Sequence, residues 1–397
     1  MYRLPVKVLL SLILLGMAAS LVWYSVCTNR ISEKDVDFLK KHASVGLFPE
    51  SWVLKGKLAY YEDLNAALAV QSFRRAIAIQ PLRMDAWFEL AKAEAVQGNE
   101  AEARKVVDTL SPLLDQISTW KWQEFLLAND MRDGERFAAC FNFILNRLPY
   151  RTQEACYLAQ QFWGEWAAVV PHLEQQNHPV FLRQLMRTNE ADVALFLWSK
   201  MEEGAEAEDQ DLRLRFCQFL LNNKRLGEAK KVWRRFAGDK GTVVYDGGFE
   251  TEPMNMAFGW RQGRHPEVVV ERTLEAPYSG SYSMHLHFRG TANVGFSHVS
   301  QVVPVEAGKT YHLSFAQKSR NLTTDQGIFL HLSGYGCKGL NVMSEPLLGS
   351  TPWTRVDLDV AVPEGCEAAL IQIRRKESLK FDSKISGDYW IDAIEMK

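Results

Sequence analysis

The hydrophobic texture of the chain changes twice. From Val8 to Cys27 every residue is apolar or small, VLLSLILLGMAASLVWYSVC, a length that crosses a hydrocarbon layer as a helix. From Trp52 to Leu110 the apolar positions recur at helical spacing, and proline and glycine punctuate short helices. Trp120, Trp122, Phe125, Phe162, Trp163, Trp166 and Trp198 carry that spacing onward. After Lys240-Gly241 short alternating runs take over, VVPVEAG, TYHLSFAQ, GIFLHLSGY, TRVDLDVAVP and AALIQIRR, bounded by Gly, Pro and Ser clusters. Such runs predict an antiparallel sandwich. The expected architecture is multidomain, α then β: a cytoplasmic tip and transmembrane anchor over 1–29, a helical-repeat domain over 30–240, and a β-sandwich over 242–397.

Charge orients the anchor. Arg3 and Lys7 precede the apolar run without an acidic neighbour, whereas Arg30 on the far side is followed by a mixture of Glu33, Lys34, Asp35 and Asp37. The positive-inside bias places the N-terminus in the cytoplasm and the bulk of the chain across the inner membrane, in the periplasm or its equivalent. A cleaved signal peptide is the competing expectation, with Ala18, Ala19 and Ser20 as a cleavage site. The run continues through Leu21, Val22, Trp23 and Tyr24, which favours an uncleaved anchor, and Ser25-Val26 before Cys27 match a lipobox poorly.

Composition removes several functions. A formal net charge of −2 without a long Lys/Arg run offers nucleic acid no attractive field. The six cysteines lack CxxC spacing, so neither a zinc site nor a local redox pair is encoded. Cys337 and Cys366 are the only pair that suggests a disulfide, two buried thiols being the alternative. HExxH, GxSxG, phosphate-loop and dinucleotide-binding patterns are absent, and paired carboxylates of the glycosidase kind do not appear. A non-enzymatic protein is expected. The acidic stretch from Met201 to Asp211 reads as a solvated loop and helix start.

Within the helical region, Ala69, Phe73, Ala76 and Pro81 resemble the second helix of a tetratricopeptide repeat. Trp87, Leu90, Ala91, Gly98 and Ala103 continue the pattern in register, and Phe216, Cys217, Leu220, Ala229, Trp233 and Phe236 answer it more loosely. The resemblance implies an α-solenoid whose hairpins bury their apolar stripes only by stacking, with a surface for a protein partner. The abundant aromatic residues fit inter-repeat packing better than a ligand groove.

The last third carries VVYDGGFE (243–250), FGW (258–260), YSGSYSMHL (278–286), QVVPVEAGKTY (301–311), WTRV (353–356), Val362-Pro363 and YWIDAI (389–394) in that order. This set resembles the jelly-roll carbohydrate-binding modules of families four and nine. In TYHLSFAQ, Leu313 and Phe315 point to the core and His312 away from it. Likewise Phe329 and His331 oppose Ile328, Leu330 and Leu332, and Gln372 and Arg374 oppose Ile371 and Ile373. With Trp260, Phe296, His298 and Tyr335 these are the candidate polysaccharide contacts, since flat rings stack on sugars and polar groups pair with hydroxyls. Trp260, Trp353 and Trp390 equally suit core packing, and members of this fold also serve as spacers or protein-contact modules. The resemblance further implies a structural calcium held by Glu250 and Asp392 with Asp246; no other cofactor is required. The expected function is a membrane-anchored extracytoplasmic scaffold, an accessory of exopolysaccharide or envelope assembly. A purely protein-binding assembly factor and a carbohydrate-active enzyme are the alternatives.

Overall fold

A computed structural model describes residues 6–33, 35, 37–38, 46–114, 117–202, 209–238, 241–275 and 277–397. Arg3, Lys34, Lys240 and residues 203–208 of the acidic stretch lie outside the described residues, as does the side chain of Lys7. Thirteen α-helices among the described residues precede two antiparallel sheets. The chain divides into two compact units, Met1–Gln184 and Leu185–Lys397.

In the first unit, α1 (Val6–Ser32) is long and apolar enough to cross a membrane. It is followed by α2 (Pro49–Tyr61), α3 (Ala66–Ile79), α4 (Met84–Val96), α5 (Glu100–Leu114), α6 (Ser118–Asp130), α7 (Gly134–Arg147), α8 (Thr152–Trp163) and α9 (Trp166–Val169). From α2 onward neighbours in sequence pack on each other, an arrangement consistent with helical repeats. Two of these helices start on side-chain caps: Asn65 accepts from Leu68 N at 3.0 Å and Asp133 from Arg136 N at 3.2 Å. Gly98, at φ +79°, lies just past the end of α4. Ala69, Phe73 and Ala76 are fully buried, and the small-residue face permits close approach: a Cβ on Gly56 would lie 2.5 Å from the Phe73 ring. Aromatic residues fill the later interfaces, with Phe137 stacked between Phe125 (4.3 Å) and Phe162 (4.1 Å). The buried Glu124 is matched by Lys121 at 2.8 Å and Arg136 at 2.9 Å.

The boundary between units falls inside α10 (His178–Thr188), so the second unit begins helical. It contains α11 (Ala191–Glu202), α12 (Gln210–Asn222) and α13 (Leu226–Ala237), then β1 (Arg261–Gln262), β2 (Val268–Thr273), β3 (Ser283–Arg289), β4 (Phe296–Pro304), β5 (Thr310–Leu322), β6 (Ile328–Gly334), β7 (Asn341–Met343), β8 (Gly349–Ala361), β9 (Ala368–Arg375) and β10 (Ser386–Met396). The switch from helix to strand near residue 240 and the boundary between compact units therefore do not coincide. Trp233 of α13 meets Tyr245 edge-on at 5.2 Å and Phe258 at 5.7 Å. Lys230 Nζ donates to the carbonyl of Val305 at 2.6 Å.

The first sheet has the order β1-β4-β9-β6-β7 and the second β2-β3-β10-β5-β8. Their inner faces form one core. Val299, Val303, Ile328, Leu330, Leu332, Ile371 and Ile373 come from the first sheet; Met284, Leu286, Phe288, Leu313, Phe315, Tyr389 and Ile391 come from the second. Period-two alternation drives this burial. The opening GG fits beside the last strand: a Cβ on Gly247 would stand 1.8 Å from the Ile394 carbonyl oxygen, where Ile394 N donates to Gly247 O at 2.9 Å. Cys337 and Cys366 form a disulfide, with Cα atoms 5.3 Å apart. Cys27, Cys140, Cys156 and Cys217 are buried.

Candidate functional site

Residues directly paired across antiparallel strands project to the same side. The registers Arg261↔Ser300, Ser300↔Gln372, His331↔Gln372 and His331↔Met343 therefore define one row across all five strands of the first sheet, on its outer face. A second row holds Val302, Leu370, Ser333 and Asn341. In a third, Phe329 pairs with Arg374, and a bulge between Phe296 and Val299 sets His298 beside them. Gly263 N donates to His298 O at 2.7 Å. No side chain in these rows is acidic.

The polar groups are oriented. Arg374 Nη1 donates to His331 Nδ1 at 2.9 Å and His331 Nε2 lies 2.7 Å from Asn341 Oδ1. A guanidinium can only donate, so Nδ1 is the acceptor and Nε2 carries the proton given to Asn341. Arg261 Nη2 donates to Gln218 Oε1 of α12 at 2.9 Å and to Ala257 O at 3.0 Å; the same Gln218 oxygen accepts from Ala257 N at 2.8 Å. Arg261 Nη1 and Arg374 Nε are buried without an acceptor. Burial holds the Arg261 pKa below its ordinary value, with only Tyr335 and Cys217 opposing. Burial, with His265 nearby, also holds His298 below its ordinary value, so His298 is neutral at pH 7.

The outer face of the second sheet is different in kind. Trp390 is fully buried beneath His285, stacked at 4.7 Å, with Lys318 and Arg320 at 5.0 and 5.1 Å from its ring. Asp388 meets His287 at 2.8 Å, His285 at 3.1 Å and Arg320 at 3.1 Å. Burial would raise its pKa, yet these bonds hold the carboxyl below its ordinary value. His312 lies between Asp359 (3.2 Å) and Asp357 (3.0 Å), and its pKa rises for that reason. Asp388 and His312 on this face are thus answered by protein partners.

Of the nine candidate sugar contacts, His298, Phe329, His331, Gln372 and Arg374 share the first sheet's outer face, and Tyr335 extends the end of β6. Phe329 is only 4% exposed and presents no open ring. His312 is on the second sheet. Phe296 turns inward, and Trp260 is buried against Phe249 at 4.9 Å with its Nε1 donating to Asp246 O at 3.0 Å. Arg261 and Asn341 join the face without a sequence signal, because β1 and β7 are too short to show alternation, and Ser300 and Ser333 join it from β4 and β6.

The three carboxylates considered for calcium separate into two groups. Asp246 accepts from Glu250 N and from Thr251 N and Oγ1 at 2.8, 2.9 and 2.6 Å, closing its own turn. Glu250 accepts from Ser281 N and Tyr282 N, and Asp392 from Tyr278 N and Ser279 N. An oxygen of each lies 3.7–3.8 Å from one point, the Cβ direction of Gly248. Asp392 is fully buried, and burial together with the Glu250 charge raises its pKa. That uncompensated pair suits a cation. No group of three or more His, Cys, Asp or Glu side chains placed to hold a metal ion occurs among the described residues, so backbone carbonyls would have to complete the shell.

A cavity of about 530 Å³ lies apart from these rows, between α13 and the sandwich, and is lined by Lys230, Trp233, Tyr245, Val305 and Tyr311. The Lys230 bond to Val305 crosses it, and it marks a joint between elements.

No family model matches the sequence, and no curated protein matches it. Solved structures resemble the C-terminal β region. A family 16 carbohydrate binding module-2 is 18% identical with a TM-score of 0.29, covering 39% of this chain and 99% of its own. The CBM22-1 xylan-binding domain of Paenibacillus barcinonensis Xyn10C is 17% identical at 0.28, covering 41% and 95%. TmCBM61 in complex with β-1,4-galactotriose is 18% identical at 0.29, covering 39% and 97%.

Proposed function

We propose that this protein is a non-enzymatic, membrane-anchored binding protein whose sandwich grips a polysaccharide on the outer face of the first sheet. The observation that carries this reading is the contrast between the two outer faces. One holds Asp388 among His285, His287 and Arg320 and His312 between Asp357 and Asp359, and the other carries an oriented, acid-free array of Arg261, Ser300, Gln372, His331 and Arg374. Guanidinium, amide and hydroxyl groups gathered on one face are partners with which sugar hydroxyls pair. Tetratricopeptide-like helices of the first unit offer a surface to a protein partner, and α1 holds the chain at the inner membrane with its bulk outside the cytoplasm. Such a combination suits an accessory of exopolysaccharide or envelope assembly. Glu250 and Asp392 would share a structural calcium ion, which neutralises two facing carboxylates.

The test is a titration of the full chain in detergent micelles against a panel of soluble polysaccharides, read by calorimetry. Saturable binding that Gln372→Ala weakens about tenfold or more supports the reading. No saturable binding across the panel would leave protein assembly as the function of both regions.

A further inference from the structure

Two arginines on the proposed sugar-binding face are left without a counter-charge. Arg261 and Arg374 stand in adjacent rows, and neither enters an ion pair among the described residues. Arg375, the sequence neighbour of Arg374, shows what a structural arginine looks like here: it turns inward, and its fork meets the Gln326 and Val294 carbonyls, Asn293 Oδ1 and Thr324 Oγ1. Arg374 donates only to the neutral His331, which leaves most of its fork unused. Arg261 meets two neutral oxygens, of Gln218 and Ala257, through a single nitrogen.

The rings point the same way. Neutral polymers are gripped largely by stacking on exposed flat rings, yet Phe329, Trp260 and Phe296 are each at most 4% exposed, which leaves Tyr335 as the one partly open Phe, Tyr or Trp ring among the candidates. A sugar hydroxyl would satisfy an N–H but not the charge behind it. A carboxylate satisfies both, because the guanidinium fork matches its two oxygens. The His298 pKa is held down by burial, so the positive charge within these rows is that of the arginines, with Lys376 Nζ beside them at 5.8 Å from the Phe329 ring.

Resting on the reading above, we infer that the polymer is acidic, and that Arg261 and Arg374 receive the carboxylates of its uronic acid residues. Gln218, from α12, is the positioning residue that holds Arg261 Nη2.

The experiment compares polygalacturonate with its fully methyl-esterified form, which keeps the backbone and removes the charge, on the full chain in micelles at fixed salt. The inference expects the acid to bind about tenfold tighter or more than the ester. Arg261→Gln and Arg374→Gln should each erase most of that ratio with the melting temperature retained, while Arg289→Gln, at the exposed end of β3, leaves it unchanged. Arg374→Lys should restore part of the ratio by keeping the charge without the fork, a result that a merely structural role would not give. Dextran sulfate, set against dextran, is the second arm: a preference for the sulfated chain alone overturns the uronic assignment. Equal binding of acid and ester, or a ratio that survives the double variant, overturns the inference and leaves polysaccharide binding standing. Failure of every polymer, charged or neutral, removes both.

Discussion

Replacing Gln218 by Leu tests whether the last helices and the sandwich form one unit. The side chain keeps its approximate volume and loses its acceptor, so two donors are affected at once. Ala257 N, on a fully buried residue, loses its bond at 2.8 Å, and Arg261 Nη2 keeps only Ala257 O. An orphaned buried peptide N–H costs about 1–3 kcal/mol, and we take about 2 kcal/mol for the variant. For a unit of this size each kcal/mol lowers the melting temperature by roughly 2–4 °C, so a fall of about 4–8 °C is expected in the transition of the second unit. Because the chain contains two units, the melt should be followed beside hydrogen exchange at residues 255–262, where protection should fall with it. A double-mutant cycle with Arg261→Leu should give a coupling above about 0.5 kcal/mol. Unchanged stability and exchange would refute the reasoning and place the structural boundary near residue 240.

Gly56→Ala should destabilise the first unit by about 1 kcal/mol. The methyl group would meet the buried Phe73 ring at 2.5 Å, and overpacking of about 1–3 kcal/mol outweighs a helix-propensity gain of about 1 kcal/mol; denaturant melts measure it. By NMR titration, His298 should titrate below 6.5 and His312 above it, and Asp359→Asn should bring His312 down. The sign follows: the His312 contribution is present at low pH and lost as pH rises through its folded pKa, whereas buried His298 disfavours folding as pH falls below its unfolded value. Calcium should raise the melting temperature of the second unit and EDTA should lower it, and Glu250→Gln should abolish both responses.

The sequence made the strands legible wherever alternation ran long enough. AALIQIRR coincides with β9, and Gln372 and Arg374 project away from the core as their spacing requires. Alternation tells which side of a strand a residue takes, but not which sheet that strand joins. His312 does leave the core, on the opposite sheet from Gln372. Phe296 and His298 have the same parity and would share a face in a regular strand; the bulge between Phe296 and Val299 sends one inward and the other outward. The pairing of Gln218 with Arg261 joins residues 43 apart through tertiary packing, and no local pattern encodes it. The helical spacing announced the helices but not the boundary at 184/185, because the apolar stripes of α12 and α13 do not specify whether a helix or a sheet will cover them.

The central claim is that ligand meets the outer face of the first sheet. Hydrogen–deuterium exchange on the full chain, with and without a saturating polysaccharide, locates the contact directly. The account predicts added protection in β4, β6 and β9 around Ser300, His331 and Gln372, with β3, β5 and β10 unchanged. Protection centred instead on the second sheet, around His285, Arg320 and Asp388, would contradict it.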